Sequence, residues 1–142
     1  MSKPAIQLAP ERHAQIKAIR AALEHQTISE TIAHLINAEI AKGTIPPGIE
    51  GVNISPDSDG LLIGFDAEPS VKFSSAAVDD LAATLLEFSE IGKSAQKLIN
   101  MQHNFQIERQ GNGIKLTIPF NGTVTKSFSR DLARDMADLL TV

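Results

Sequence analysis

The sequence predicts an α+β chain of two modules: a short strand with two helices (β-α-α, dimeric), then a domain built from a tandem β-β-β-α repeat. Three observations carry this. A Pro/Gly-rich break, Gly-Thr-Ile-Pro-Pro-Gly-Ile-Glu-Gly, spans residues 43–51. The stretch before it holds one period-2 tetrapeptide and two helical stripes. The stretch after it repeats itself at a spacing of 53 and then 55 residues.

Within the first module, Ala5-Ile6-Gln7-Leu8 alternates small or polar with apolar side chains, the period of a strand. Ala9-Pro10 breaks that pattern, and Pro10 suits the first position of a helix. In residues 11–24 the apolar positions are Ile16, Ile19 and Leu23, surrounded by alanines. In residues 28–41 they are Ile28, Ile32, Leu35, Ile36 and Ile40, an i, i+4, i+7, i+8, i+12 stripe. Thr27 and Glu30 form a T-x-x-E capping box at its start, and Gly43 marks its stop. About 40 residues with two narrow aliphatic stripes and no aromatic side chain bury too little to fold alone. Dimerisation is the natural remedy. The expected boundaries are 1–45 for this module, 46–51 for a linker, and 52–142 for the repeat domain.

In the repeat domain, Val52 matches Phe105, Ile54 matches Ile107, and Leu61, Ile63 and Phe65 match Ile114, Leu116 and Ile118. Phe73-Ser74 matches Phe128-Ser129, and Asp80-Leu81-Ala82 matches Asp135-Met136-Ala137. The change of spacing puts two extra residues around Asn121-Gly122, where a loop tolerates them. The copies cover about 52–90 and 105–142. Asp59-Gly60, Asn112-Gly113 and Asn121-Gly122 read as hairpin turns that use positive φ. Ser74 or Ser75, and Ser129, read as helix N-caps. Between the copies, Ser94–Met101 reads as helical, with Ala95, Leu98 and Ile99 on one face.

The chain has 142 residues, a net charge of −4 and no Cys, which excludes a disulfide framework, a thiolate metal site and a cysteine nucleophile. The charge is uneven: residues 1–48 are nearly neutral, whereas residues 49–142 are acidic and hold all six Phe. The N-terminus MSKPAIQL lacks an apolar signal core and no apolar run reaches the ~20 residues of a membrane span, so a cytoplasmic protein is expected. His13, His25, His34 and His103 are scattered, so no metal site is expected. Asp57-Ser58-Asp59-Gly60 reads as a turn rather than a calcium loop. Asp79, Asp80, Asp131 and Asp135 fall early in helices, where carboxylates complement the dipole. No catalytic constellation or cofactor motif emerges, and an enzyme is not the expected class.

Residues 3–42, KPAIQLAPERHAQIKAIRAALEHQTISETIAHLINAEIAK, resemble the ribbon-helix-helix DNA-binding proteins of the Arc and MetJ type. The likeness rests on the Ala5–Leu8 strand, the Pro10-initiated helix, and Thr27-Ile28-Ser29-Glu30 opening a longer helix. It implies a two-stranded ribbon in the major groove. Lys3, Ala5 and Gln7 would then face the groove, with Gln7 the base reader. Ile6 and Leu8 would face the helices and, with Ile28, Ile32, Leu35 and Ile36, form the dimer interface. Thr27, Ile28 and Ser29 would meet phosphate at a helix N-terminus. His13, Lys17 and Arg20, at i, i+4 and i+7, share a face of the first helix from which Lys17 and Arg20 would attract the backbone. No family is identified for residues 52–142. The expected function is a dimeric, sequence-specific DNA-binding regulator, a transcriptional repressor of plasmid or phage type. The alternative is a protein-binding module, such as an antitoxin or inhibitor, whose first module only dimerises.

Overall fold

A computed structural model describes residues 4–90 and 96–141. The chain divides into two compact units between Pro46 and Pro47. The first unit contains α1 (Pro10–Ala22) and α2 (Ile28–Ala41). The second contains β1 (Val52–Asp57), β2 (Gly60–Phe65), β3 (Val71–Ser74), α3 (Ser75–Ser89), β4 (Lys97–Asn100), β5 (Phe105–Gln110), β6 (Gly113–Thr117), β7 (Thr125–Ser129) and α4 (Arg130–Leu140). No helix among the described residues is long and apolar enough to cross a membrane.

The β-α-α expectation for the first unit is overturned: it is α-α. Ala5–Leu8 forms no strand, and Ile6 and Leu8, expected to face the helices, are 88% and 44% exposed. A strand exists by pairing its N–H and C=O groups with a neighbour, and among the described residues no strand pairs with residues 5–8. Four alternating residues therefore belong to no sheet. The ribbon-helix-helix fold does not hold for this unit.

The second unit has two antiparallel sheets, ordered β1-β2-β3 and β4-β5-β6-β7. All buried apolar residues among the described ones, from Ile63 to Leu140, lie in this unit. Strands β1, β2, β3 with α3, and β5, β6, β7 with α4, are the two copies. Their closing helices pack on one another, and Phe65 of β2 meets Phe128 of β7 edge-on at 6.2 Å. The β2–β3 loop covers 66–70 and the β6–β7 loop 118–124, so the second is two residues longer.

The two hairpins show why glycine follows each turn. The two-residue turns are Ser58-Asp59 and Gly111-Asn112, one residue earlier than the expected dipeptides. Gly60 and Gly113 are the first residues of β2 and β6 and lie outside positive φ. A Cβ on Gly60 would sit 1.9 Å from the Phe73 carbonyl oxygen, and one on Gly113 2.4 Å from that of Phe128. Close backbone approach demands these glycines, whereas Gly111, at φ 55°, is the residue that uses positive φ. In the first turn, the Ser58 backbone N–H and then Lys72, 3.3 Å away, hold the Asp57 carboxyl below its ordinary range.

The second copy, β5, β6, β7 and α4, keeps the expected β-β-β-α order, but its sheet gains a fourth strand from the segment between the copies. Residues 97–100, expected within a helix, are strand β4; Ser94 and Ala95 lie outside the described residues. Its alternation is visible in burial, with Leu98 against the core and Ile99 54% exposed. The edge of β5 offers backbone donors, and the Arg109 N–H donates to Gln96 O at 2.9 Å. At the matching position of β1 stands Pro56, which has no N–H, and the Val52 N–H is already bonded to Ile49 O. Proline on an edge closes it to a further strand. This difference accounts for a fourth strand in one sheet only.

Candidate nucleic-acid interface

The expected site lies in the first unit, and backbone closures set its geometry. α1 begins at Pro10 and ends in a Schellman motif: Glu24 N–H donates to Ala21 O and His25 N–H to Arg20 O at 3.0 Å. Glu24 takes the left-handed position, φ 58°, usually reserved for glycine. Arg20 Nη1 donates to His25 O at 3.4 Å, bracing the same turn. α2 starts at Thr27, whose hydroxyl accepts from the Glu30 N–H at 3.1 Å, while the Glu30 carboxylate accepts from the Gln26 N–H at 3.2 Å. The box thus reaches back one residue further than the reciprocal form. α2 ends in a second Schellman motif with Gly43 at φ 83°.

The hairpin between these closures has a polar centre. Thr31 is its one buried residue among those described. The Thr31 hydroxyl donates to Thr27 O at 3.4 Å and lies 3.0 Å from His25 Nδ1. The His25 and His34 rings meet with centroids 5.4 Å apart. Nine residues separate these histidines, so no helical or strand period links them. The Schellman turn that folds α1 back on α2 does.

Lys17 is exposed on α1, free to meet a phosphate. Arg20, on the same face, is half-buried and engaged by the turn carbonyl. Thr27 and Ser29 are exposed and Ile28 half-buried at the start of α2. Ala5 and Gln7 are exposed in the segment before α1, while Lys3 lies outside the described residues. Ile32, Leu35 and Ile36 are 42%, 39% and 48% exposed, an aliphatic stripe that the hairpin leaves uncovered.

Two polar groupings in the second unit are legible only in three dimensions. Asp80 of α3, expected to serve the helix dipole, accepts instead from Asn100 Nδ2 and lies 2.7 Å from His103 Nδ1; the His103 N–H donates to Asn100 Oδ1. This cluster ties the β4–β5 turn to α3. Arg109 donates to Phe88 O and Glu90 O, and Arg130 to Ser89 O, so two guanidinium groups close the C-terminus of α3. The expected Ser74 cap is present, its hydroxyl accepting from the Ala77 N–H, whereas Ser129 holds the cap position without a side-chain bond. Among the described residues, no three His, Asp or Glu side chains converge on a common metal position. No family model, curated protein or solved structure matches this chain.

Proposed function

We propose that this protein is a sequence-specific DNA-binding regulator, a transcriptional repressor of plasmid or phage type, that acts as a dimer through its first unit. The observation that carries the reading is the exposed stripe Ile32, Leu35 and Ile36 on a unit with no buried apolar residue among those described. A helical pair without an apolar core of its own needs a partner surface. A second copy supplies an equally aliphatic one, and two-fold pairing makes a stripe complementary to itself. What remains of the resemblance, the Pro10-initiated helix and the Thr27-Ile28-Ser29-Glu30 entry to α2, favours DNA as the ligand of such a dimer.

With the ribbon excluded, the contacts fall to three exposed places. These are the segment before α1 carrying Ala5 and Gln7, Lys17 on α1, and the start of α2 at Thr27 and Ser29, with Ile28 half-buried between them. Gln7 is the group able to bond a base edge in two directions, and Lys17 meets phosphate.

The test is competition binding of operator and scrambled duplexes from the gene's own upstream region, at two salt concentrations. Gln7→Ala is expected to lose discrimination by ~1–3 kcal/mol. Lys17→Ala should weaken binding to both duplexes and flatten the salt dependence. Arg20→Ala is a poorer probe, because it also removes the brace on the His25 carbonyl. Leu35→Asp should abolish the dimer in sedimentation and DNA binding with it. A wild type that prefers neither duplex would favour the protein-binding module, for which the acidic second unit supplies a charged surface.

A further inference from the structure

We propose that His25 and His34 form a site for a divalent transition-metal ion of the imidazole-preferring class, zinc, nickel or copper. The two rings come together at the α1–α2 junction with centroids 5.4 Å apart. Two imidazoles that share one tetrahedral ion through nitrogens at ~2.0–2.1 Å hold their ring centres about 5 Å apart, so the pair is already spaced for a common ion.

The second observation is the state of the His25 ring. Its Nδ1 lies 3.0 Å from Thr31 Oγ1, and the same hydroxyl donates its proton to Thr27 O at 3.4 Å. In the tautomer with hydrogen on Nδ1, that hydrogen is donated to Oγ1. The Nε2 lone pair is then left for a ligand. Metal-binding histidines are oriented in this way, by a bond from the other ring nitrogen to a fixed neighbour. Thr31 is fully buried, so the neighbour is held in place. His34 is exposed on α2 and brings its ring without distorting the hairpin.

Two protein ligands leave open coordination positions for water or an exogenous donor. Imidazole suits zinc, nickel and copper, and excludes magnesium and calcium, which take oxygen. An ion bridging His25 and His34 would pin the turn to α2, reinforcing the junction that sets the hairpin angle. The site does not depend on DNA binding.

The test is calorimetric titration of the untagged full chain with nickel chloride and with zinc chloride. Wild type should bind, and His25→Ala and His34→Ala should each weaken binding by more than about tenfold. His13→Ala and His103→Ala should leave it unchanged. Thr31→Val should weaken it by about tenfold through misorientation of His25, and Thr31→Ser should restore it. Should a variant fail to fold, proton–nitrogen spectra of the wild-type imidazoles decide. On adding metal, the His25 and His34 ring signals should shift together, while those of His13 and His103 stay fixed. Absence of binding, or binding that survives loss of either His25 or His34, overturns the proposal.

Discussion

Glu24 is the residue whose conformation conflicts most plainly with its identity. It sits at φ 58° in the Schellman closure of α1, where an L side chain crowds the following carbonyl at a cost of ~1–2 kcal/mol. Glycine meets the same position without that cost. Glu24→Gly is therefore expected to stabilise the helical pair by about 1 kcal/mol, part of the relief being offset by the freer unfolded chain. The measurement is the helix-unfolding transition by circular dichroism; an unchanged or lowered midpoint would mean that the Glu24 side chain contributes more than its backbone costs. The sequence at this position, Leu-Glu-His, contains no glycine or asparagine to mark a helix stop. The end of α1 was consequently legible only from the loss of periodicity, and the approach of His25 to His34 not at all.

At the scale of elements, the two hairpins impose one requirement twice. Gly60 pairs with Ser74 and Gly113 with Ser129, and at both positions the strand that feeds the closing helix passes within van der Waals distance of the glycine. Both strands then enter their helices through a serine with φ −67° and ψ 165°. The repeated glycine thus has a packing cause rather than the turn cause its dipeptide suggests. Gly60→Ala and Gly113→Ala should each destabilise the second unit by ~1–3 kcal/mol, the ordinary cost of overpacking, since a backbone carbonyl cannot move aside as a flexible side chain does. By contrast, Gly111→Asn at the turn itself should cost less, because asparagine tolerates positive φ and nothing lies within 4 Å of the added Cβ. Thermal melts of the three variants would check the order, and equal losses at Gly111 and Gly60 would contradict it.

For the whole molecule, the division at Pro46–Pro47 separates a unit with a complete apolar core from one without. Residues 47–142 hold Phe65, Phe73, Phe88, Phe105 and Phe128 in one buried cluster that both copies share. A chain of these residues alone is expected to unfold in a single cooperative transition at nearly the midpoint of the same unit in the full protein. Two transitions in calorimetry would show that the copies are separate cores, and aggregation would show that the first unit protects them. The pairing of α3 with α4 and the Lys126–Asp66 bridge at 3.6 Å both favour a single transition, because each joins one copy to the other.

By itself the sequence determined what periodicity and local chemistry encode: α1 and α2, the Thr27 cap, the Gly43 stop, the break at the two prolines, and the correspondence between the two copies. These features are carried by residue patterns along the chain and can be read without knowing how distant segments pair. The tertiary structure decided what depends on a distant partner. Ala5–Leu8 has a strand's alternation, but no strand among the described residues pairs with it, so it belongs to no sheet. Leu98-Ile99 has an apolar pair that fits helix or strand equally, and the open donors of β5 make it a strand. Pro56 denies β1 the same addition. Hydrogen bonding between strands is a long-range decision, and an apolar pattern states only which face will be buried once that decision is made.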